Sequence, residues 1–288
     1  MAQGMVIHIL LPVHNRLETT KRFVDCLLAQ TFTNYHLILI DDGSTDGTQD
    51  YVRGKVKGLT VITGQGNWWW GGGLHQGYHW IKENKVSADD LVLMINNDTE
   101  FESDLFQKAV GIISTNPKTL LLPRGYSKQS NALFDIGVHA DWRRLTFERT
   151  EDADKVNCLS TRGLFLKVED LMDIGGFHPV LLPHYLSDYE FTIRAHHKGY
   201  QLRVDSSLKL MVDESTTGFH ILDRRVGLVG FLKDYFSKRS SSNPVYWFSF
   251  VALACPWPLK LLNFLRVIYG CFVMVFRKIF GIYNRKWN

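Results

Sequence analysis

The residues best suited to chemistry stand together at Asn96-Asn97-Asp98-Thr99, directly after the apolar run at residues 91–95. A carboxylate at the end of a strand can hold a divalent cation against a diphosphate, because hard oxygen ligands suit Mg²⁺ or Mn²⁺. Taken alone, the same tetrapeptide is also an ordinary Asn/Asp turn closing a strand. A second candidate, Asp41-Asp42-Gly43-Ser44-Thr45-Asp46-Gly47-Thr48, follows the apolar run at residues 36–40. A carboxylate there can accept from a pyrimidine ring N–H or a ribose hydroxyl, while the small residues let the backbone come close. Pro12-Val13-His14-Asn15-Arg16 follows the run at residues 6–11 in the same way. Each is a common turn by itself, but three together, each after an apolar run, are not.

Two further stretches carry unusual side chains. Gly66-Asn67-Trp68-Trp69-Trp70-Gly71-Gly72-Gly73 places three tryptophans among glycines at the start of a helical pattern. Aromatic faces stack on sugar rings, and glycines such as Gly72 at a helix start let a phosphate or sugar approach the N-terminus. This assigns Trp69, Trp70 and Gly72 to a ligand pocket, against the alternative that two of the three tryptophans pack into the core. Arg162, beside Gly163, is placed to contact phosphate or acceptor, or else to sit at the surface. His75 and His79 share a helical face, but no acidic third ligand accompanies them at a telling spacing, so they read as packing residues. Glu190 and Arg194, four apart, read as a structural ion pair.

The elements that must position these residues alternate. Strand-like runs at 6–11, 36–40, 59–63 and 91–95 are separated by helical patterns at 18–30, after the turn at 41–47, and from the glycine stretch to about residue 85. Buried strands alternating with helices predict an α/β fold with a mostly parallel sheet flanked by helices, whose ligand site lies beyond the carboxyl ends of the strands. All three motifs fall on that edge. Residues 118–168 read as shorter strands and turns, with 158–168 the best strand candidate, followed by a helix at 188–198 and a strand at 200–204.

The three motifs and their spacing resemble those of the family 2 glycosyltransferases over roughly residues 5–215, and the resemblance implies a GT-A type, Rossmann-like fold. It implies that Pro12 and Asp42 line a nucleoside pocket with Asp41 beside them and Asn15 and Arg16 in the same loop. Asn97 and Asp98 would occupy the diphosphate and metal site, with Asp98 the ligand of a Mg²⁺ or Mn²⁺ ion. Asn96 stands where the family more often has Asp, a variation found among rhamnosyl- and galactofuranosyl-type members. After Gly175-Gly176-Phe177, the segment Leu186-Ser187-Asp188-Tyr189-Glu190-Phe191-Thr192-Ile193-Arg194 matches the family's acidic helix start, a register that picks out Asp188 as catalytic base. Relatives carry a late His that helps bind diphosphate or metal; Asp213 and His220 are the nearest equivalents here, and His220 is taken as the second metal-site candidate.

Charge divides the chain. Residues 221–288 hold eleven Lys and Arg against two Asp and Glu, a net of +9, leaving −5 on residues 1–220. The acidic body excludes a nucleic-acid-binding core, which gathers basic residues on one face. The division predicts a catalytic domain at 1–220, with a nucleotide-sugar half at about 1–100 and an acceptor half at about 101–220, and a basic, aromatic-rich helical tail at 221–288. Within the tail, Pro256 and Pro258 separate two apolar stretches and Arg266 interrupts the second. Aromatics beside Lys260, Arg266, Arg277, Lys278, Arg285 and Lys286 fit helices lying in a membrane interface rather than spanning it. Four dispersed cysteines suggest neither zinc site nor disulfide framework, and the N-terminus lacks a signal-peptide pattern. The expectation is a protein on the cytoplasmic face of the membrane, taking a UDP-, dTDP- or GDP-linked sugar donor and a lipid-linked or oligosaccharide acceptor in surface polysaccharide assembly such as O-antigen or capsule; homo-oligomers remain compatible. A sugar nucleotidyltransferase is the alternative enzyme, but it needs a glycine-rich first loop, which residues 12–16 are not. An inactive scaffold subunit is the alternative outside enzymes.

Overall fold

The computed structural model describes residues 4–216 and 227–281. His220, Arg285 and Lys286 therefore lie outside the described residues. The chain begins β1 (Ile7–Val13), α1 (Leu17–Leu28), β2 (Tyr35–Asp41), α2 (Thr48–Lys55), β3 (Leu59–Thr63), α3 (Trp69–Glu83) and β4 (Leu91–Met94). These four strands are parallel neighbours in the order β3-β2-β1-β4. The reason is visible in alternate residues. Ile7, Ile9 and Leu11 join Leu37, Leu39, Leu91 and Leu93 in one core with Phe23 and Leu27 of α1. Leu10, Ile38, Ile40, Val92 and Met94 face the other way, onto Leu74 and Ile81 of α3. A sheet apolar on both faces must be covered on both, which the alternating helices do.

The second half is mixed. β5 (Thr99–Phe101), α4 (Leu105–Thr115), β6 (Thr119–Ser127), the short β7 (Leu133–Asp135), β8 (Val138–Asp141) and β9 (Thr146–Arg149) lead to β10 (Leu164–Lys167), α5 (Val168–Ile174), α6 (Ser187–His197) and β11 (Gln201–Val212). The sheet continues β4-β10-β6-β11-β5, with β10 antiparallel to both β4 and β6. β8 and β9 form a separate hairpin.

Two expectations change here. The strand read at 158–168 starts only at Leu164, because Gly163 sits at φ +91° and residues 160–163 turn, Gly163 N–H donating to Met94 O. The last strand runs to Val212 rather than ending at 204; a register shift between Asp205 and Lys209 lets it resume beside β6 after the polar residues Asp205, Ser206 and Ser207. Polar residues at a bulge break the pattern that marks a strand in sequence.

After the undescribed segment come α7 (Leu228–Tyr235), α8 (Pro244–Ala254) and α9 (Lys260–Ile279). α8 is not an appendage: Phe250, Val251 and Ala254 join Trp142, Leu182 and Ile193 in a third apolar cluster. α9 turns Asn263 and Val267 inward, Asn263 Nδ2 donating to Trp142 O. Its opposite face leaves Leu261, Leu265, Tyr269, Phe272 and Phe276 exposed. The stretch Trp257–Ile279 is long and apolar enough to cross a membrane by length and composition, while α8 is too short.

Candidate active site

Parallel strands end on one edge, so the loops after β1, β2, β3 and β4 meet there, joined by the turn before the antiparallel β10 and the loop ahead of α6. Two cavities open on this edge. The first, of about 340 Å³, is lined by Pro12, Arg16, Asp42, Trp69, Trp70, Gly73, Asn96, Asn97, His184 and Arg239, among others. The second, of about 500 Å³, is lined by residues that include Phe134, Asp135, Arg149, Arg162, Tyr185, Asp188 and Trp247. They share a wall. His184 lines the first and its neighbour Tyr185 the second, the two rings 4.3 Å apart. Trp70 of the first donates through Nε1 to Thr161 Oγ1 at 2.9 Å, one residue from Arg162 of the second.

The first cavity is shaped by Asp42. Its carboxylate accepts four backbone N–H groups, from Gly66 (2.7 Å), Asn67 (3.1 Å), Trp68 (2.7 Å) and Trp69 (3.3 Å). This clamps the glycine-tryptophan loop against the end of β2 and fills much of the acceptor capacity of the carboxylate. Gly71 and Gly72 N–H donate to Pro183 O at 2.9 and 3.4 Å. Three N–H groups in the first turn of α3, those of Trp69, Gly71 and Gly72, thus already have protein acceptors. Gly73 lies against Pro12 and Gly77 against Leu10, where an added Cβ would come within 3.1 and 2.9 Å, and Gly71 abuts Leu182 O. The glycines let α3 pack directly on β1 and on the loop ahead of α6. Gly72 faces Trp68 and Pro179 and lines neither cavity. Trp68 and Trp70 pack against the second core cluster, while Trp69 and Trp70 line the first cavity.

Asp41 and Asn15 also stand outside both cavity walls. Asp41 is 1% exposed and accepts Ser44 N–H at 2.8 Å; Asn15 Oδ1 accepts Thr45 N–H at 2.8 Å. Asn15 thus ties the loop after β1 to the loop after β2, while the Asp41 carboxylate closes the turn after β2 on itself.

Asp98 is buried, 3% exposed, and lies behind Asn96 and Asn97 rather than in the cavity wall. Its Oδ2 is 3.4 Å from Nη1 of Arg16, and its Oδ1 has no hydrogen-bond partner among the described residues. A buried carboxylate oxygen without a donor is an electrostatic cost that a cation relieves. The donor set fits a hard divalent ion only in part: among the described residues no group of three or more His, Cys, Asp or Glu is gathered to hold one. Asp98 could supply one ligand, with donor phosphates and water supplying the rest, the manner in which Mg²⁺ is commonly held. Asp213, the alternative to His220, accepts from Gln129 Nε2 and Ser215 and pairs with Arg22. Asn97 Nδ2 donates to Thr20 Oγ1, fixing its amide in the wall.

Asp188 is the second residue of α6 and accepts the N–H of Tyr189 at 3.0 Å. Burial pushes its pKa up to about 6; that N–H pulls the other way, the nearby Asp135 adds to the rise and Arg162 opposes it. Leu186, two residues before, holds φ +67°, and Trp69 holds φ +60°. Left-handed backbone is uncommon for bulky residues, and both of these flank the cavities. Glu190 and Arg194 form the structural pair expected, at 2.9 Å (Nε to Oε1) and 3.0 Å (Nη2 to Oε2), with Arg194 also donating to Ile174 O and Gly176 O.

Several lining residues were not singled out by sequence. The His184 ring lies tilted against Trp69 at 5.4 Å, and burial together with the positive charge of Arg16 lowers its pKa to about 4, keeping it neutral. Asp135, Arg149 and Trp247 have no local motif to mark them. Arg239 carries a signal of a kind, the basic pair Lys238-Arg239 between tail helices, but its charge reads as a membrane feature until the loop is seen to fold back, Lys238 Nζ donating to Asn67 O at 3.4 Å.

Comparison with known proteins agrees with this architecture. An uncharacterized glycosyltransferase of Mycoplasma genitalium is 25% identical over 114 residues, covering 38% of this chain and 36% of that one. Staphylococcus aureus TarS superposes with a TM-score of 0.57 at 17% identity over 98% of this chain and 56% of TarS. TarS 1-349 in complex with UDP-GlcNAc gives 0.56 at 16% identity, over 93% and 73%. GalNAc-T7 with UDP, GalNAc and Mn²⁺ gives 0.58 at 14% identity, over 96% and 57%. The chain thus spans about a third of the Mycoplasma protein and just over half of full-length TarS. These structures share the GT-A fold. The family model Glycosyl transferase family 2 matches residues 8–167, more than half of the sequence, and the chain belongs to that family.

Proposed function

We propose that this chain is an inverting glycosyltransferase that moves a sugar from a nucleotide-diphosphate donor to a hydroxyl of a lipid-linked glycan, in assembly of a bacterial-type surface polysaccharide. The observation that carries the reading is the pair of adjoining cavities, one walled by Pro12, Arg16 and Asn97, the other holding the raised-pKa carboxylate of Asp188. UDP and UDP-GlcNAc in the TarS complexes, and UDP in GalNAc-T7, support a nucleotide-sugar donor in the first cavity.

In this reading Asp188 takes the proton of the acceptor hydroxyl as its oxygen bonds to the anomeric carbon. The bond from that carbon to the donor phosphate breaks, and the nucleoside diphosphate leaves with the electron pair from the opposite face, which inverts the centre. A base with a pKa near 6 is ionised at neutral pH yet basic enough to share a proton in the transition state. Arg16 and Arg239 face the same cavity and offset charge that grows on the departing diphosphate, more in the transition state than before it. A divalent cation held by Asp98, when bound, would add Lewis-acid stabilisation to the same oxygens. Trp69 and Trp70 offer rings on which a sugar or base can stack.

The exposed face of α9 supports attachment to the inner face of the cell membrane. One side of this helix is committed to protein through Asn263 and Val267, so it fits a helix lying flat in the interface better than one surrounded by lipid. A screen of UDP-, dTDP- and GDP-sugars for hydrolysis or transfer, with Mn²⁺ and then with EDTA, tests the proposal. Turnover of one donor that EDTA abolishes is expected; no turnover with any donor would refute it.

A further inference from the structure

Beyond the base, the second cavity holds two guanidiniums with no hydrogen-bond or ion-pair partner among the described residues. The charged centres of Arg149 and Arg162 lie 5.3 and 5.1 Å from the ring centroid of Phe134, and both residues line the cavity of Asp188. Neither side chain donates a hydrogen bond, or lies within ion-pair distance of a carboxylate, among the described residues; the Nε of Arg162 is buried and unpartnered. The carboxylates in the same cavity do not explain them. Asp135 takes its hydrogen bond from Ser160 at 2.6 Å and Asp188 from backbone. Arg162 reaches both acids only through space, and Arg149 likewise reaches Asp135.

Sharing one ring places the two cations no more than about 10 Å apart, a like-charge pair that an intervening anion would neutralise. A guanidinium offers a planar fork of donors that matches tetrahedral phosphate oxygens in paired hydrogen bonds, whereas a neutral sugar hydroxyl uses only one. Phe147 and Trp247, their rings tilted against each other at 5.9 Å in the same cavity, supply apolar wall for the carbon chain of the ligand.

We propose that the acceptor carries a phosphate next to its attacking hydroxyl, and that Arg149 and Arg162 clamp this phosphate so that the hydroxyl meets Asp188. The inference rests on the reading of Asp188 as the base. The phosphate could belong to a soluble polyol phosphate chain or to a polyprenyl diphosphate that carries a sugar with a free hydroxyl, and the shared chemistry is an alcohol beside a phosphate oxyanion.

The test measures binding without turnover, by calorimetry at pH 8, where Asp188 stays ionised in every variant. Probes are a glycerol phosphate oligomer, its neutral counterpart triglycerol, glucuronate, and a polyprenyl-diphosphate-linked sugar in nanodiscs competing with the oligomer. Wild-type protein should bind the phosphate oligomer and not triglycerol. Arg149→Gln and Arg162→Gln should each weaken that binding about tenfold or more, the scale of a lost charge-assisted hydrogen bond. Competition by the lipid-linked sugar would identify the lipid as the source, and its failure the soluble chain. Equal binding of triglycerol, a preference for glucuronate, or variants that bind phosphate as well as wild type would overturn the proposal. UDP titrated into the same proteins reports folding. A protein that binds phosphate through the arginines but no nucleotide would sink the transferase reading and leave the anion site standing.

Discussion

Replacing Asp188 by Asn removes a charge and keeps the shape, and the consequences divide cleanly between activity and stability. The amide oxygen can still accept the Tyr189 N–H, so the start of α6 should persist. What disappears is the ability to take a proton, and a positioned base contributes about 10²–10⁴-fold. Turnover of Asp188→Asn should drop by that factor while donor affinity holds. With Asp188 as the proposed base the ionised form would be the active one, so kcat/KM should fall about tenfold per pH unit below a pKa of about 6.

Stability should move the opposite way. A carboxyl whose folded pKa is raised from 3.8 to about 6 is destabilised by ionisation, at about 1.4 kcal/mol per unit. The full shift would be worth about 3 kcal/mol, and partial solvent exposure cuts this to roughly 1–2 kcal/mol. Wild type carries its full stability below about pH 4 and loses this part as pH rises through about 6. The variant has no such loss. Asp188→Asn should therefore melt a few degrees higher than wild type at pH 8 and alike at pH 4, read by calorimetric scans alongside steady-state kinetics. Near-wild-type turnover, or variant and wild-type stability that track each other across pH, would refute the assignment.

Other perturbations test separate parts of the account. Asp42→Ala leaves four backbone N–H groups without their acceptor and should cost about 2–4 kcal/mol in urea unfolding. Gly77→Ala pushes a methyl to 2.9 Å from both Leu10 methyls and should cost about 1–3 kcal/mol in the same assay. Arg239→Ala, an exposed change, should leave stability intact and weaken UDP binding about tenfold by calorimetry. Phe272→Glu with Phe276→Glu should release the protein from anionic liposomes in a flotation assay, each buried ring being worth about 1.5–3 kcal/mol. These two are better than deleting residues 244–288, because Phe250 and Val251 of α8 belong to the core.

The first four strands were legible because each is an unbroken apolar run ended by polar or glycine residues, and register then carries the three motifs to one edge. Past residue 118 that signal thins: β7 and β9 are three and four residues long and only partly buried, and β11 is interrupted by its own bulge. Asp188 was reached through a resemblance in register; its neighbours were not. Asp135, Arg149 and Arg239 come from a short strand, a hairpin and a loop between tail helices, and only tertiary packing brings them to the two cavities. Gly71 and Gly73 stand out in the sequence, but their close packing on Leu182 and Pro12 is visible only in the fold. Division of the chain by charge set the tail apart, whereas Trp142, Leu182 and Phe250 join it to the body.

The central claim is that a donor bound in the first cavity presents its anomeric carbon to Asp188 across the shared wall. A crystal structure with an unhydrolysed nucleotide sugar and Mn²⁺ measures this directly. The account predicts diphosphate beside Arg16, Arg239 and Asn97, and the sugar turned past His184 with its anomeric face open to the Asp188 carboxylate. A donor seated elsewhere, or with its anomeric carbon directed away from Asp188, would contradict it.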